Sequence, residues 1–223
     1  MRMATSEYQI VLSRNDREFI HQILDPDLIH SDALNTLLSD HDSLILLLDN
    51  ARLYDAVINQ SQQLSISTHL FFYIILRREL KEFHMQSVTI PEYLSWSLKE
   101  FSIDHPIWKK DLNQLQTHFL NAVDFMDLLK SVNSYQKFSL ELWAGNYYLI
   151  WSGIFHDFLE RREVCHGSPG VQFYERLGLS SFHYAQSHPL AQEFEMTQIL
   201  DEIVGEYFTV RKVLSRVSDE ILV

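Results

Sequence analysis

Residues 135–164 read YQKFSLELWAGNYYLIWSGIFHDFLERREV. Their apolar members Leu140, Trp143, Tyr147, Leu149, Ile150, Ile154, Phe155, Phe158 and Leu159 recur mainly at three- and four-residue intervals. That is the period of a helix with a wide apolar face, whereas a half-buried strand would alternate every second residue. The spacing predicts one long helix from Tyr135 to about Val164. Gly145 and Gly153 fall inside it, and each costs a helix about 1 kcal/mol relative to alanine. A neighbouring helix that must approach closely explains such a cost; a kink or a small polar pocket beside Asn146 and Ser152 is the alternative.

Working outward, His166-Gly167 ends this helix and Ser168-Pro169 starts another, which carries Val171, Phe173, Tyr174 and Leu177 past Gly178 towards Phe182 and Tyr184. The last helix is expected to start near Ser187-His188-Pro189 and run almost to the C-terminus through Leu190, Phe194, Ile199, Ile203, Phe208, Val213, Leu214 and Val217, with Gly205 its weakest point. Upstream, residues 115–132 show one buried stripe at Phe119, Leu120, Val123, Met126 and Leu129. Thr89-Ile90-Pro91-Glu92 has capping-box spacing and opens a helix that continues to Phe101. Ser67 is an N-cap for an apolar helix from Thr68 to about Phe83. Shorter helices are expected at about 15–24, after Ser31, at 40–48 and at 51–58.

The chain has only six glycines and five prolines, and no Asn-Gly or Asp-Gly hairpin signal interrupts the helical spacing. The fold class is therefore all-α, an irregular multi-helix bundle of about nine helices. No Ser/Gly-rich or Pro-rich linker divides it, so residues 1–223 are expected to form a single helical domain. A small N-terminal lobe, residues 1–64, packed on 65–223 is the alternative arrangement.

Composition removes several classes of function. Eighteen basic against thirty acidic residues give a net charge of −12, a field that repels a nucleic acid backbone. The basic doublets Arg77-Arg78, Lys109-Lys110 and Arg161-Arg162 read as complements to helix dipoles or as solvated corners. No apolar run reaches the roughly eighteen residues of a membrane span. The N-terminal stretch lacks a secretory apolar core, and the single cysteine, Cys165, fits a reducing compartment. Together these point to a cytoplasmic protein with neither membrane nor nucleic acid as partner.

Familiar catalytic motifs are missing: GxGxxG, the P-loop, HExxH, CxxC and GxSxG do not occur. Cys165 has no visible thiol partner. Glu163-Val164-Cys165-His166 has the Glu-x-x-His spacing of a di-metal carboxylate site, but it lies at the expected end of a helix, whereas such a site needs two such units and two further glutamates facing the interior of a bundle. Two readings of function remain. In the first, the aromatic-rich helices bind a protein partner, a second copy of the chain or a small apolar ligand. Trp96, Trp143, Asn146, Tyr147, Tyr148 and Trp151 line that site, and no cofactor is expected. In the second, His156-Asp157, joined by His118 upstream and Asp201 downstream, holds a divalent metal that activates water for phosphoester hydrolysis.

The His-Asp pair with flanking His118 and Asp201 resembles the HD-domain phosphohydrolases in outline. That resemblance implies His118 as first ligand, His156 and Asp157 as the central pair and Asp201 as the distal carboxylate. The family usually continues His-Asp with a small residue and a glycine, and here Phe158 and Leu159 follow. The strings STHLFFYIILRREL and GNYYLIWSGIFHDFLERRE are also similar to segments of uncharacterised bacterial all-helical proteins, a resemblance that brings no activity with it.

Overall fold

A computed structural model describes residues 8–24, 32–59, 65–101 and 122–221. Of the described residues 82% are helical and none is in a strand, as the few glycines and the three-to-four spacing require. In chain order the helices are α1 (Arg14–Leu24), α2 (Asp32–Leu37), α3 (His41–Leu48), α4 (Ala51–Asn59), α5 (Thr68–Glu82), α6 (Thr89–Phe101) and α7 (Ala122–Ser131). There follow α8 (Ser134–Ile154), α9 (His156–His166), α10 (Val171–Ser187), α11 (Pro189–Glu193), α12 (Thr197–Gly205) and α13 (Tyr207–Ile221). Among the described residues there are thirteen helices, more than the nine or so expected, in part because two long helices are broken, which adds three. The 135–164 helix stops at Phe155, and the C-terminal one is divided at residues 194–196 and again at Glu206. No helix among the described residues is long and apolar enough to cross a membrane.

The described residues group into two compact units, one holding residues 8–99 and 220–221 and the other residues 100–219. In the N-terminal unit, α1 packs on α4, α4 on α5, and α2 on α3. A non-helical arm precedes α1, with Tyr8, Ile10 and Leu12 buried and the residues between them exposed. Asp16 closes the arm. One of its carboxylate oxygens accepts from Ser13 N at 2.8 Å while its own N–H donates to Ser13 Oγ at 3.2 Å, a reciprocal cap for α1. The other oxygen accepts from Ser67 N at 2.7 Å. Ser67 in turn caps α5, its hydroxyl accepting from Leu70 N at 3.2 Å. One fully buried carboxylate thus ties together two helix starts, where orphan N–H groups need acceptors.

The start of α6 differs from the sequence expectation. Ser87, not Thr89, provides the hydroxyl that accepts from Ile90 N, at 3.1 Å. Glu92 carries its buried carboxylate to Ile10 N at 3.1 Å and thereby holds the arm. The doublet Arg77-Arg78 also divides. Arg78 makes the surface pair with Glu82 one turn on. Arg77 is buried, forks onto Asp49 at 2.8 and 3.1 Å, and donates to Ser87 O at 2.6 Å. Lys81 reaches the same Asp49 carboxylate at 2.7 Å. The doublet therefore includes the cation that joins the end of α3 to α5 and to the turn before α6.

In the C-terminal unit α10 lies along α8 as the main helix pair, with α12 on α10 and α9 against both α8 and α10. The glycines explain how closely these helices approach. A methyl group on Gly145 would sit 2.9 Å from the Phe182 ring of α10, and one on Gly153 would sit 2.5 Å from Leu214 Cβ of α13. On α10, a methyl at Gly178 would collide with the Tyr207 hydroxyl. Close packing, rather than a polar pocket, accounts for the glycines of α8. The Ser152 hydroxyl is spent inside the helix on Tyr148 O at 2.7 Å.

Burial pushes the Asp49 carboxyl up, but the hydrogen bonds and charges of Arg77 and Lys81 overcome this and hold it below its ordinary range. Arg77→Met is therefore expected to cost about 3 kcal/mol at neutral pH, as seen by urea unfolding. A carboxyl depressed in the folded state contributes stability above its unfolded value, near pH 4, and loses it as pH falls through the folded value. The gap between wild type and variant should accordingly shrink in acid. Equal stability at neutral pH would contradict the assignment.

Candidate functional site

α8 begins with a complete capping box. Asn133 Oδ1 accepts from Gln136 N at 2.9 Å, and Gln136 Oε1 accepts from Asn133 N at 3.2 Å. Twenty-one residues follow without a break, and aromatic side chains four residues apart on this helix meet face to face. Trp143 stacks on Tyr147 with centroids 6.1 Å apart and planes 11° apart, and Tyr147 stacks on Trp151 at 5.8 Å and 15°. Phe101 stacks on Trp143 from the other end, at 5.7 Å. Beyond α8 the stripe continues to Phe155 and Phe158, with centroids 4.8 and 5.9 Å from that of Trp151.

Burial along the stripe is uneven. Tyr147, Tyr148 and Asn146 are buried, and Trp143 and Trp151 are half-buried. Phe155 and Phe158 are 41% and 46% exposed. The Trp151 indole N–H is enclosed and has no hydrogen-bond partner among the described residues. Burial pushes the Tyr147 hydroxyl up to about 12, and it raises Tyr148 as well, so both stay protonated donors. Tyr148 faces Tyr174 of α10, at 6.0 Å. Of the six residues expected to line a binding site, five are on α8. Trp96 is on α6 in the N-terminal unit, its ring tilted against Tyr93. The ring ladder follows from the i, i+4 spacing of the sequence. The exposed end at Phe155 and Phe158 was missed, because both fell within what the periodicity reads as a continuing buried face.

At Phe155 the chain leaves α8 and restarts as α9, which strands the last carbonyls of α8. Three side chains take them up. Ser215 Oγ donates to Gly153 O at 3.2 Å, Ser218 Oγ donates to Ile154 O at 2.7 Å, and His156 Nδ1 donates to Gly153 O at 2.9 Å. A ring that donates through Nδ1 presents Nε2 as the outward-facing nitrogen. His156 Nε2 lies 3.3 Å from Asp157 Oδ1 and 3.8 Å from Asp219 Oδ1. The ring is mostly buried, whereas both carboxylates are exposed.

His156 and Asp157 thus stand together as expected from the pair, joined by Asp219 of α13. Asp201 is on α12 and accepts from Gln186 Nε2 at 2.6 Å. His118 lies outside the described residues. His183 and His188, other downstream histidines, have partners of their own, His188 meeting Ser134 Oγ of α8 through Nε2 at 2.9 Å. His183 pairs with Gln186, and His188 caps α11 by accepting from Leu190 N. Asp219 carries no sequence signal, because an aspartate near the end of a charged helix reads as a solvated face. Among the described residues of this unit there are also open surface grooves that the aromatic stripe does not line. One runs along α10 from Arg176 to Ser187, and the other follows the turn from Glu163 through Gly167–Gly170 to Arg176. Cys165 is exposed and free.

Comparison of the chain with known protein families, with curated proteins and with solved structures finds no match.

One carboxylate lies within the α8–α10 contact. Glu141 is buried at 4% exposure, and burial raises its carboxyl above the ordinary range despite the Ser181 hydroxyl hydrogen-bonded to it and the charge of Lys137. A carboxyl raised in the folded state contributes stability that is fully present below its unfolded value and lost as pH rises through the folded value. Glu141→Gln is therefore expected to match wild type below about pH 4.5 and to become progressively more stable than wild type above it, as thermal unfolding at several pH values will report. A variant destabilised relative to wild type at pH 8 would refute the account of this carboxyl.

Proposed function

We propose that this is a non-enzymatic helical protein that binds a protein partner, a second copy of itself or a small apolar ligand through the aromatic stripe of α8 and its continuation at Phe155 and Phe158. The observation that carries the reading is the exposure of those two rings, at 41% and 46%, while both remain in ring contact with the half-buried Trp151. Scattered exposed apolar residues need no explanation; contiguous aromatic rings at the end of a stacked row form a surface whose burial lowers free energy. Aromatic rings also lose little conformational entropy on binding. The net charge of −12 argues against nucleic acid as the occupant, and the single cysteine supports a reducing, cytoplasmic setting.

The apolar dye 1-anilinonaphthalene-8-sulfonate serves as the test probe. Covering a phenylalanine ring contributes about 2 kcal/mol. The double variant Phe155→Ser/Phe158→Ser should therefore weaken dye binding by at least about tenfold and reduce energy transfer from tryptophan to the dye, with an unchanged unfolding temperature. Dye affinity equal to that of wild type would overturn the assignment of the surface. Light scattering across a concentration series then separates self-association from binding to another molecule.

A second reading rests on a different observation, the convergence of His156, Asp157 and Asp219 with ligand atoms all within 4.8 Å of one another. At bond lengths near 2.1 Å, opposite ligands of a divalent ion are about 4.2 Å apart, so a small side-chain adjustment would close the set. Gly153 O accepts from Nδ1 and so orients the ring, as carbonyl partners of metal-binding histidines do. On this reading the chain is an HD-type metal-dependent phosphohydrolase. Asp219 would take the place that the resemblance gave to Asp201, and a divalent metal held there would supply activated water. Protein purified without an affinity tag should then bind Mn²⁺, as read by electron paramagnetic resonance, and hydrolyse bis(p-nitrophenyl) phosphate. Both properties should fall at least about tenfold in Asp219→Asn, a loss of about 1.4 kcal/mol. Absence of Mn²⁺ binding by the wild-type protein would eliminate this reading and leave the first untouched.

A further inference from the structure

We draw no further inference here: the strongest candidate outside the sites already described, the open groove along α10 lined by Arg176, Leu179, Ser180, His183, Tyr184 and Ser187, carries nothing because nothing in the structure shows what covers it.

Discussion

Leu214 of α13 rests on the bare backbone of α8 at Gly153, and the Phe182 ring of α10 rests on it at Gly145. Interiors are close-packed and yield little, so a helix pressed this closely at two points along its length has few positions open to it. The two glycines lie eight residues apart, a little over two helical turns. They give up helical stability locally, and what they gain is a fixed separation between α8 and its neighbours. Gly178 does the same on α10, where it admits the Tyr207 hydroxyl.

The other features of the C-terminal unit follow from that fixed separation. With α13 held against the end of α8, Ser215 and Ser218 reach Gly153 O and Ile154 O. The helix can therefore stop at Phe155 without leaving buried acceptors unpaired. The stop leaves Phe155 and Phe158 exposed and brings His156 and Asp157 to Asp219. Both candidate surfaces are consequences of one helix break. The aromatic row along α8, Trp143 on Tyr147 and Tyr147 on Trp151, is carried by this closely packed helix.

What the sequence disclosed and what it concealed divide along the range of the interactions involved. Ser67 and the corner at Gly167, whose φ is 60°, were legible because capping and left-handed backbone are decided within a few residues. The closeness of packing at Gly145 and Gly153 could be read from the cost of glycine in a helix, although the sequence could not name Phe182 or Leu214 as the partners. The break at Phe155 was hidden because Phe-His-Asp-Phe contains no glycine or proline. Its stability comes from two serines some sixty residues downstream. Arg77 looked like a surface cation because burial of an arginine depends on a carboxylate, Asp49, that local sequence does not connect to it. Asp219 was hidden similarly: the His-Asp pair is a local pattern, but the third member joins it only through the α8–α13 contact.

The central claim is that Leu214 and the absence of a side chain at Gly153 are two halves of one contact. A double-mutant cycle between Gly153→Ala and Leu214→Ala tests it most directly. Alone, Gly153→Ala should destabilise the protein by about 1–3 kcal/mol through overpacking, and Leu214→Ala by about 2–5 kcal/mol through the cavity it leaves. Together they should cost less than their sum by at least about 1 kcal/mol, because the new methyl group enters the space that Leu214 vacates. Strict additivity, or a Gly153→Ala protein more stable than wild type, would contradict the account.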